Sequence, residues 1–143
     1  MKPLPTTTAS RVFAAGDVAR FFDPLFGRRR RIEHWSNASY QGTEVGKALA
    51  DRPGGYDKVS SFFTEVFGVT LKVFGDVGRF DDLAAEGSLA ERDLVAYYGE
   101  HGRLRGALAI GQSKEGEARL EELVARGAPF ASIRTREREL AVG

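Results

Sequence analysis

At 143 residues, with 42% hydrophobic and 29% charged residues, the chain has the size and composition of an ordinary globular domain with a real core. A formal net charge of +1 argues against a general nucleic-acid binder, and the absence of cysteine excludes a disulfide framework and a redox dithiol. No apolar run approaches the roughly 20 residues that a membrane span needs.

Residues 1–10 carry one lysine followed by prolines and threonines, without the apolar centre of a signal peptide. They read as an extended, partly disordered leader, and a cytoplasmic location follows. Residues 12–15, Val-Phe-Ala-Ala, form a short apolar run of the kind expected for a strand buried on both faces. Gly16 permits a sharp turn or a close approach to a ligand. Asp17 then stands just past the carboxyl end of the expected strand, the edge where open α/β sheets bind ligands. Its carboxylate suits sugar or ribityl hydroxyls. It also suits the cap of a short helix over residues 18–22, and the spacing alone leaves both readings open.

Residues 21–27, FFDPLFG, read as an aromatic loop around an Asp-Pro turn. The four arginines 28–31 fit a solvated hairpin turn with ion pairs better than a phosphate or nucleic-acid contact. A helix follows to about residue 50, with Ser36 or Asn37 as its cap. Its free N–H groups and positive dipole end suit an electron-rich carbonyl or an anion. Trp35 can stack on a flat ring and donate through its indole N–H, or it can anchor a core. Ala38, Gly42 and Gly46 keep the helix surface small. His34 has no second histidine nearby, so no metal site is expected.

DRPGGY, residues 51–56, ends the helix and marks a junction. Beyond it, residues 59–67 are short and aromatic, and strands are expected over 69–74, 83–86, 94–99 and 104–110. Glu100-His101-Gly102 is the hairpin turn joining the last two. Ser113 caps a helix running to about Arg126, with Glu115 and Glu117 in its first turn. Ala118, Leu120, Leu123 and Val124 form its buried stripe, and Gly127 stops it. Residues 134–143 begin with charges of alternating sign and read as a solvated tail or a frayed helix.

The string VFAAGDVA, the Pro-Leu turn, the arginines and EHWSNASYQG together resemble the distal FAD-binding segment of the pyridine-nucleotide-dependent flavoprotein reductases. The resemblance is to ferredoxin and rubredoxin reductases of oxygenase systems and to apoptosis-inducing-factor-like oxidoreductases. It covers nearly the whole chain, from residue 11 to about residue 133. It implies that Asp17, after Gly16, binds the ribityl chain of FAD. It places Glu33, His34 and Trp35 against the isoalloxazine, with the following helix pointing its N-terminus at the ring's carbonyl edge. Phe62-Phe63-Thr64-Glu65 matches a place where many relatives carry Phe-Trp-Ser-Asp. Phe63 thus takes the position of a tryptophan near the flavin, keeping contact but losing the indole N–H. YYGEHGRLRGALAIGQ fits the hairpin of the family's C-terminal domain.

The implied fold is α+β. A fragment of an FAD-binding α/β domain (strand plus helix, residues 1–50) precedes a small antiparallel sheet with a flanking C-terminal helix (residues 57–133). A working reductase also needs Gly-x-Gly-x-x-Gly turns for the pyrophosphates of FAD and NAD(P)H. The sequence has none: Gly75-Asp76-Val77-Gly78 lacks the spacing, and the stretch from Gly111 to Gly116 lacks a P-loop ending.

The chain therefore reads as the C-terminal part of an FAD-dependent NAD(P)H oxidoreductase, inactive alone, with no acid or base catalyst of its own. Its expected partners are an N-terminal portion or a second copy, and an electron-transfer protein; no nucleic acid and no membrane are expected. The alternative is a non-catalytic interaction or dimerisation module using residues 83–110, with Tyr97, Tyr98 and the Phe-rich loop as anchors.

Overall fold

The computed structural model describes residues 7–9, 11–52 and 54–133. The leader's other residues and the charged tail at 134–143 lie outside them. The chain divides into two compact units, Met1–Ser60 and Ser61–Gly143.

In the first unit, β1 (Arg20–Asp23) and β2 (Arg28–Arg31) form an antiparallel hairpin, with Asp23 opposite Arg28 and Arg20 opposite Arg31. The FFDPLFG stretch is thus a strand and its turn rather than a loop. Alternation decides which groups go inside: Phe21 and Asp23 are buried, while Arg20 and Phe22 face out. Asp23 is fully buried and meets Arg30 at 2.9 Å, and the Arg30 guanidinium lies 4.3 Å from the centre of the Phe26 ring. Burial pushes the Asp23 carboxyl above its ordinary value, with Arg30 pulling the other way.

The helix α1 (Trp35–Leu49) follows. Phe21, Ile32 and Tyr56 make the small core, with Tyr40 packed against it. The Phe21 and Tyr56 rings are 4.4 Å apart, and Tyr40 meets Tyr56 edge-on at 5.5 Å.

No strand forms over residues 12–15. Phe13 makes only an isolated bridge, and Val12 is 50% exposed. An apolar run becomes a buried strand only when neighbouring strands supply its hydrogen bonds, and the other strands described in this unit, β1 and β2, pair with each other. The short helix expected over 18–22 is also absent: Val18 lies in a turn and residues 20–22 enter β1.

The second unit is a five-stranded antiparallel sheet of β3 (Ser61–Val66), β4 (Val69–Gly75), β5 (Asp82–Ser88), β6 (Asp93–Glu100) and β7 (Arg103–Ile110), in the order β3-β4-β7-β6-β5. The four strands expected from alternation all form. β3, read from the sequence only as a short aromatic stretch, is added at one edge. Two-residue turns at Phe67-Gly68 and His101-Gly102, with positive φ at all four residues, close the β3–β4 and β6–β7 hairpins. Between β6 and β7 the register slips: Tyr98 faces Gly106 and Gly99 faces Leu104, so Arg105 has no opposite number. Its carbonyl accepts from Asp76 N–H at 2.9 Å.

The helix α2 (Lys114–Ala125) packs on β4 and β7. Ser113 caps it, its hydroxyl accepting from Gly116 N–H at 3.1 Å. Leu120, Leu123 and Val124 are buried, but Ala118 is exposed. Residues 118 and 120 lie about 200° apart around a helix, so one stripe cannot hold both. Phe130 then folds back on Gly99, where a Cβ would come within 2.5 Å of its ring. Only glycine fits there.

Candidate functional site

The candidate residues of the first unit gather around the start of α1. The helix begins at Trp35, one residue before the expected cap, and neither Ser36 nor Asn37 caps it. Its N-cap is His34, in extended backbone, and that side chain makes no capping hydrogen bond. The first turn contains no acidic residue. The positive end of the helix dipole is therefore left without a neutralising side chain of its own.

Asn37 has a different task. Its Nδ2 donates to the Ile32 carbonyl at 3.1 Å, and its Oδ1 accepts from the Tyr56 hydroxyl at 3.0 Å. It joins the end of the hairpin to the far side of the core. Burial pushes the Tyr56 phenol above its ordinary range, with the Asp23 charge adding to the shift. Glu44, one helical turn beyond Gln41, accepts from Gly55 N–H at 2.9 Å and Lys47 Nζ at 2.6 Å. These bonds hold its carboxyl below the ordinary value. Tyr40 donates to Asp57 at 2.6 Å, and its phenol is pushed up to about 12, first by burial and then by that bond.

The Gly16–Asp17 corner lies on this helix. Gly16 has φ +79° and its N–H donates to Gln41 Oε1 at 2.8 Å. A Cβ on Gly16 would sit 3.4 Å from the Ala38 Cβ. Asp17, the next residue, is exposed. Ala38 is one turn beyond Trp35, about 4.5 Å along the helix axis. Trp35 is 84% exposed, which rules out its reading as a core anchor. Glu33 is exposed and His34 is half-buried. Gly42 and Gly46 are exposed with open space around them, as expected of a small helix surface.

Gly16, Asp17, Glu33, His34 and Trp35 are thus brought to one end of one helix, by two separate stretches of chain. Phe63 lies on β3, the edge strand of the second unit, and is 71% exposed. Of the anchors expected for an interaction module, Tyr97 is buried with its hydroxyl bonded to Glu86, and Phe21 and Phe26 are core residues, while Phe22 is exposed. Tyr98 is half-buried, meeting Phe80 edge-on at 5.2 Å.

Sequence reasoning missed Gln41. The signal was present as Asn37, Gln41 and Glu44 at helical spacing, a polar stripe where a buried face normally carries apolar residues.

Chemically, this arrangement offers an exposed carboxylate, an exposed indole face and an uncapped helix N-terminus. It can bind and orient a flat, hydroxyl-bearing ligand. Among the described residues there is no cluster of three metal-ligating side chains, and no helix is long and apolar enough to cross a membrane.

No family model matches the chain. Over 126 residues it is 29% identical to the 3-phenylpropionate/cinnamic acid dioxygenase ferredoxin–NAD(+) reductase component of Photorhabdus laumondii, covering 88% of this chain and 32% of that protein. It is 35% identical over 95 residues to apoptosis-inducing factor 3 of Mus musculus, covering 64% of this chain and 15% of the relative. Among solved structures, putidaredoxin reductase in its covalent complex with putidaredoxin superposes with a TM-score of 0.78 at 24% identity, over 87% of this chain and 30% of that one. The chain is a homologue of ferredoxin–NAD(+) reductase components and of apoptosis-inducing-factor-like proteins, and it shares part of the reductase fold. It spans between 15% and 32% of the length of these proteins.

Proposed function

We propose that the chain is the C-terminal part of an FAD-dependent NAD(P)H oxidoreductase. Residues 1–50 supply the distal, flavin-contacting wall, and residues 57–133 the domain that docks a partner or a second copy. The observation carrying this reading is the convergence of Gly16-Asp17 with the Glu33-His34-Trp35 start of α1, inside a chain homologous to ferredoxin reductases.

The residues present suit the ribityl-isoalloxazine end of FAD. Asp17 accepts hydrogen bonds from ribityl hydroxyls, and Trp35 offers its free face to the ring. The N–H groups at the start of α1, backed by the dipole, suit the ring's carbonyl edge. Glu33 and His34 complete this set, and Phe63 is a separate candidate contact on the second unit. Where FAD is held there, it would supply the hydride and electron transfer between a nicotinamide and an acceptor. The protein's part is positioning and electrostatics. An electron-transfer protein is the acceptor this reading implies, as putidaredoxin is the partner in the homologous complex.

Trp35 is the sole tryptophan, so its emission reports flavin stacking directly. FMN, which carries the ring and ribityl chain, is expected to quench it in the millimolar range, more strongly than it quenches free tryptophanamide. Asp17→Ala is expected to weaken that quenching. FAD itself is expected to bind no better than weakly, because the sequence lacks the pyrophosphate-cradling turn. FMN quenching no stronger than that of tryptophanamide sinks the flavin wall. Micromolar FAD binding sinks the assignment of a partial site.

A second reading, an interaction or dimerisation module that no longer binds flavin, draws on one observation. β3 is an edge strand, and along it and its turn Phe63, Val66 and Phe67 are exposed, Phe67 at 99%. A colourless, stable dimer in sedimentation would favour it.

A further inference from the structure

We infer that Gln41 is the positioning residue of the flavin wall: its side-chain amide clamps Gly16 onto α1 and thereby sets where Asp17 stands relative to Trp35. The inference rests on the flavin reading for its purpose, but its geometry is independent of it.

Gln41 is fully buried, a rare place for an uncharged amide with two polar ends. One end is used: Oε1 accepts from Gly16 N–H at 2.8 Å, across 25 residues of sequence. The other is not, since Nε2 has no hydrogen-bond partner among the described residues. Burying an unpaired donor costs stability, and a methionine of similar volume would avoid that cost. Packing therefore does not explain a glutamine here. What glutamine supplies and methionine does not is the acceptor for Gly16.

Gly16 needs such an acceptor. It stands at positive φ, outside any strand, and the described strands of its unit give its N–H no ladder partner. Without the Gln41 bond, the corner is held by the turn bond from Ala19 N–H to the Gly16 carbonyl and by the contact with Ala38. Both leave Asp17 freer to swing. Ala38 and Gln41 are three residues apart on one face of α1, one and two turns from Trp35, so the clamp and the indole share a rigid element. A local rule broken at a stability cost, beside a candidate site, is the pattern expected of a functional residue.

The test uses the 15N-labelled chain. In the wild type the Gly16 amide is expected to exchange about tenfold or more slowly than an open turn amide. Gln41→Met is expected to abolish that protection with a melting temperature close to the wild type's, since one unpaired buried donor replaces another, and to lower the FMN association constant read from Trp35 quenching by about tenfold. Gln41→Glu keeps an acceptor oxygen in either protonation state and is expected to keep Gly16 protected and restore FMN quenching. Retained Gly16 protection in Gln41→Met overturns the clamp. A fall in melting temperature with faster exchange throughout the first unit makes Gln41 structural and equally overturns it. Lost Gly16 protection with unchanged FMN quenching refutes positioning. If the wild type shows no quenching beyond free tryptophanamide, the flavin reading fails by itself, and Gly16 exchange in the two variants still decides the clamp. Should Gln41→Met not fold, loss of Gly16 protection in Gln41→Glu overturns the inference.

Discussion

The two long helices are held in opposite ways. The buried residues of α2 are Leu120, Leu123 and Val124; those of α1 are Asn37, Gln41 and Glu44. An apolar seam tolerates small shifts, because burial depends on area and not on direction. A hydrogen-bonded seam does not, because each bond fixes a distance and an angle. The first kind of helix holds its unit together, and the second holds a particular geometry. That difference places precision on the helix that starts at Trp35 and holds the Gly16 corner through Gln41 and Ala38.

The largest effect is expected at the apolar seam. Leu123→Ala should cost about 2–5 kcal/mol in urea denaturation followed by circular dichroism. A loss near zero would mean that α2 is not the sheet's main cover. At the polar seam, Asn37→Leu strands the Ile32 carbonyl and the Tyr56 hydroxyl and should cost about 2–3 kcal/mol, whereas Tyr56→Phe removes one bond and should cost about 1 kcal/mol. If Asn37→Leu stabilised the protein, the seam would be a packing surface and the contrast would collapse.

The contrast sharpens with pH. Glu44 has its carboxyl held below the ordinary value by Lys47 and Gly55, so it contributes stability that is full above pH 4.5 and lost as pH falls through its folded value. Asp23, raised by burial, contributes with the opposite sign: its term favours folding in acid and weakens as pH rises above its ordinary value of 3.8. Gln in place of Glu44 removes only the first. Melting curves of the wild type and Glu44→Gln should therefore converge below pH 4.5 and separate above it, with the wild type higher. Curves that stay parallel would show that Glu44 is not tied in this way. The smallest effect is reserved for the exposed side of α2, where Ala118→Lys should change stability by no more than about 0.5 kcal/mol.

Most of the second unit was legible in the sequence because its forces are local and repetitive. Alternation marks β4 through β7, and Ser113 and Gly127 bracket α2. The first unit was harder. Residues 12–15 have the composition of a buried strand, but a strand exists only through its neighbours, which composition does not supply. Arg28–Arg31 looked like a turn because four arginines carry no apolar alternation; the strand forms because Asp23 pairs with Arg30 behind it. The approximate extent of α1 was readable, its cap was not, since Asn37 was already committed to Ile32 and Tyr56. Of the candidate site, the outward-facing residues could be singled out in the sequence because they stand next to a glycine turn and a helix start, whereas the inward-facing Gln41 that joins the two stretches could not, since its partner Gly16 lies 25 residues away.

The unmatched Arg105 in β7 has a consequence for how the chain tolerates change. On either side of it Leu104 and Ala107 are both fully buried, although they stand an odd number of positions apart. The extra residue absorbs one step of the alternation, so both ends of the strand present their apolar groups to the same side. Excising that one arginine would leave Leu104 and Ala107 two positions apart, on one face of a regularly paired strand. The slip thus marks the place along β7 where loss of a residue keeps the inside in.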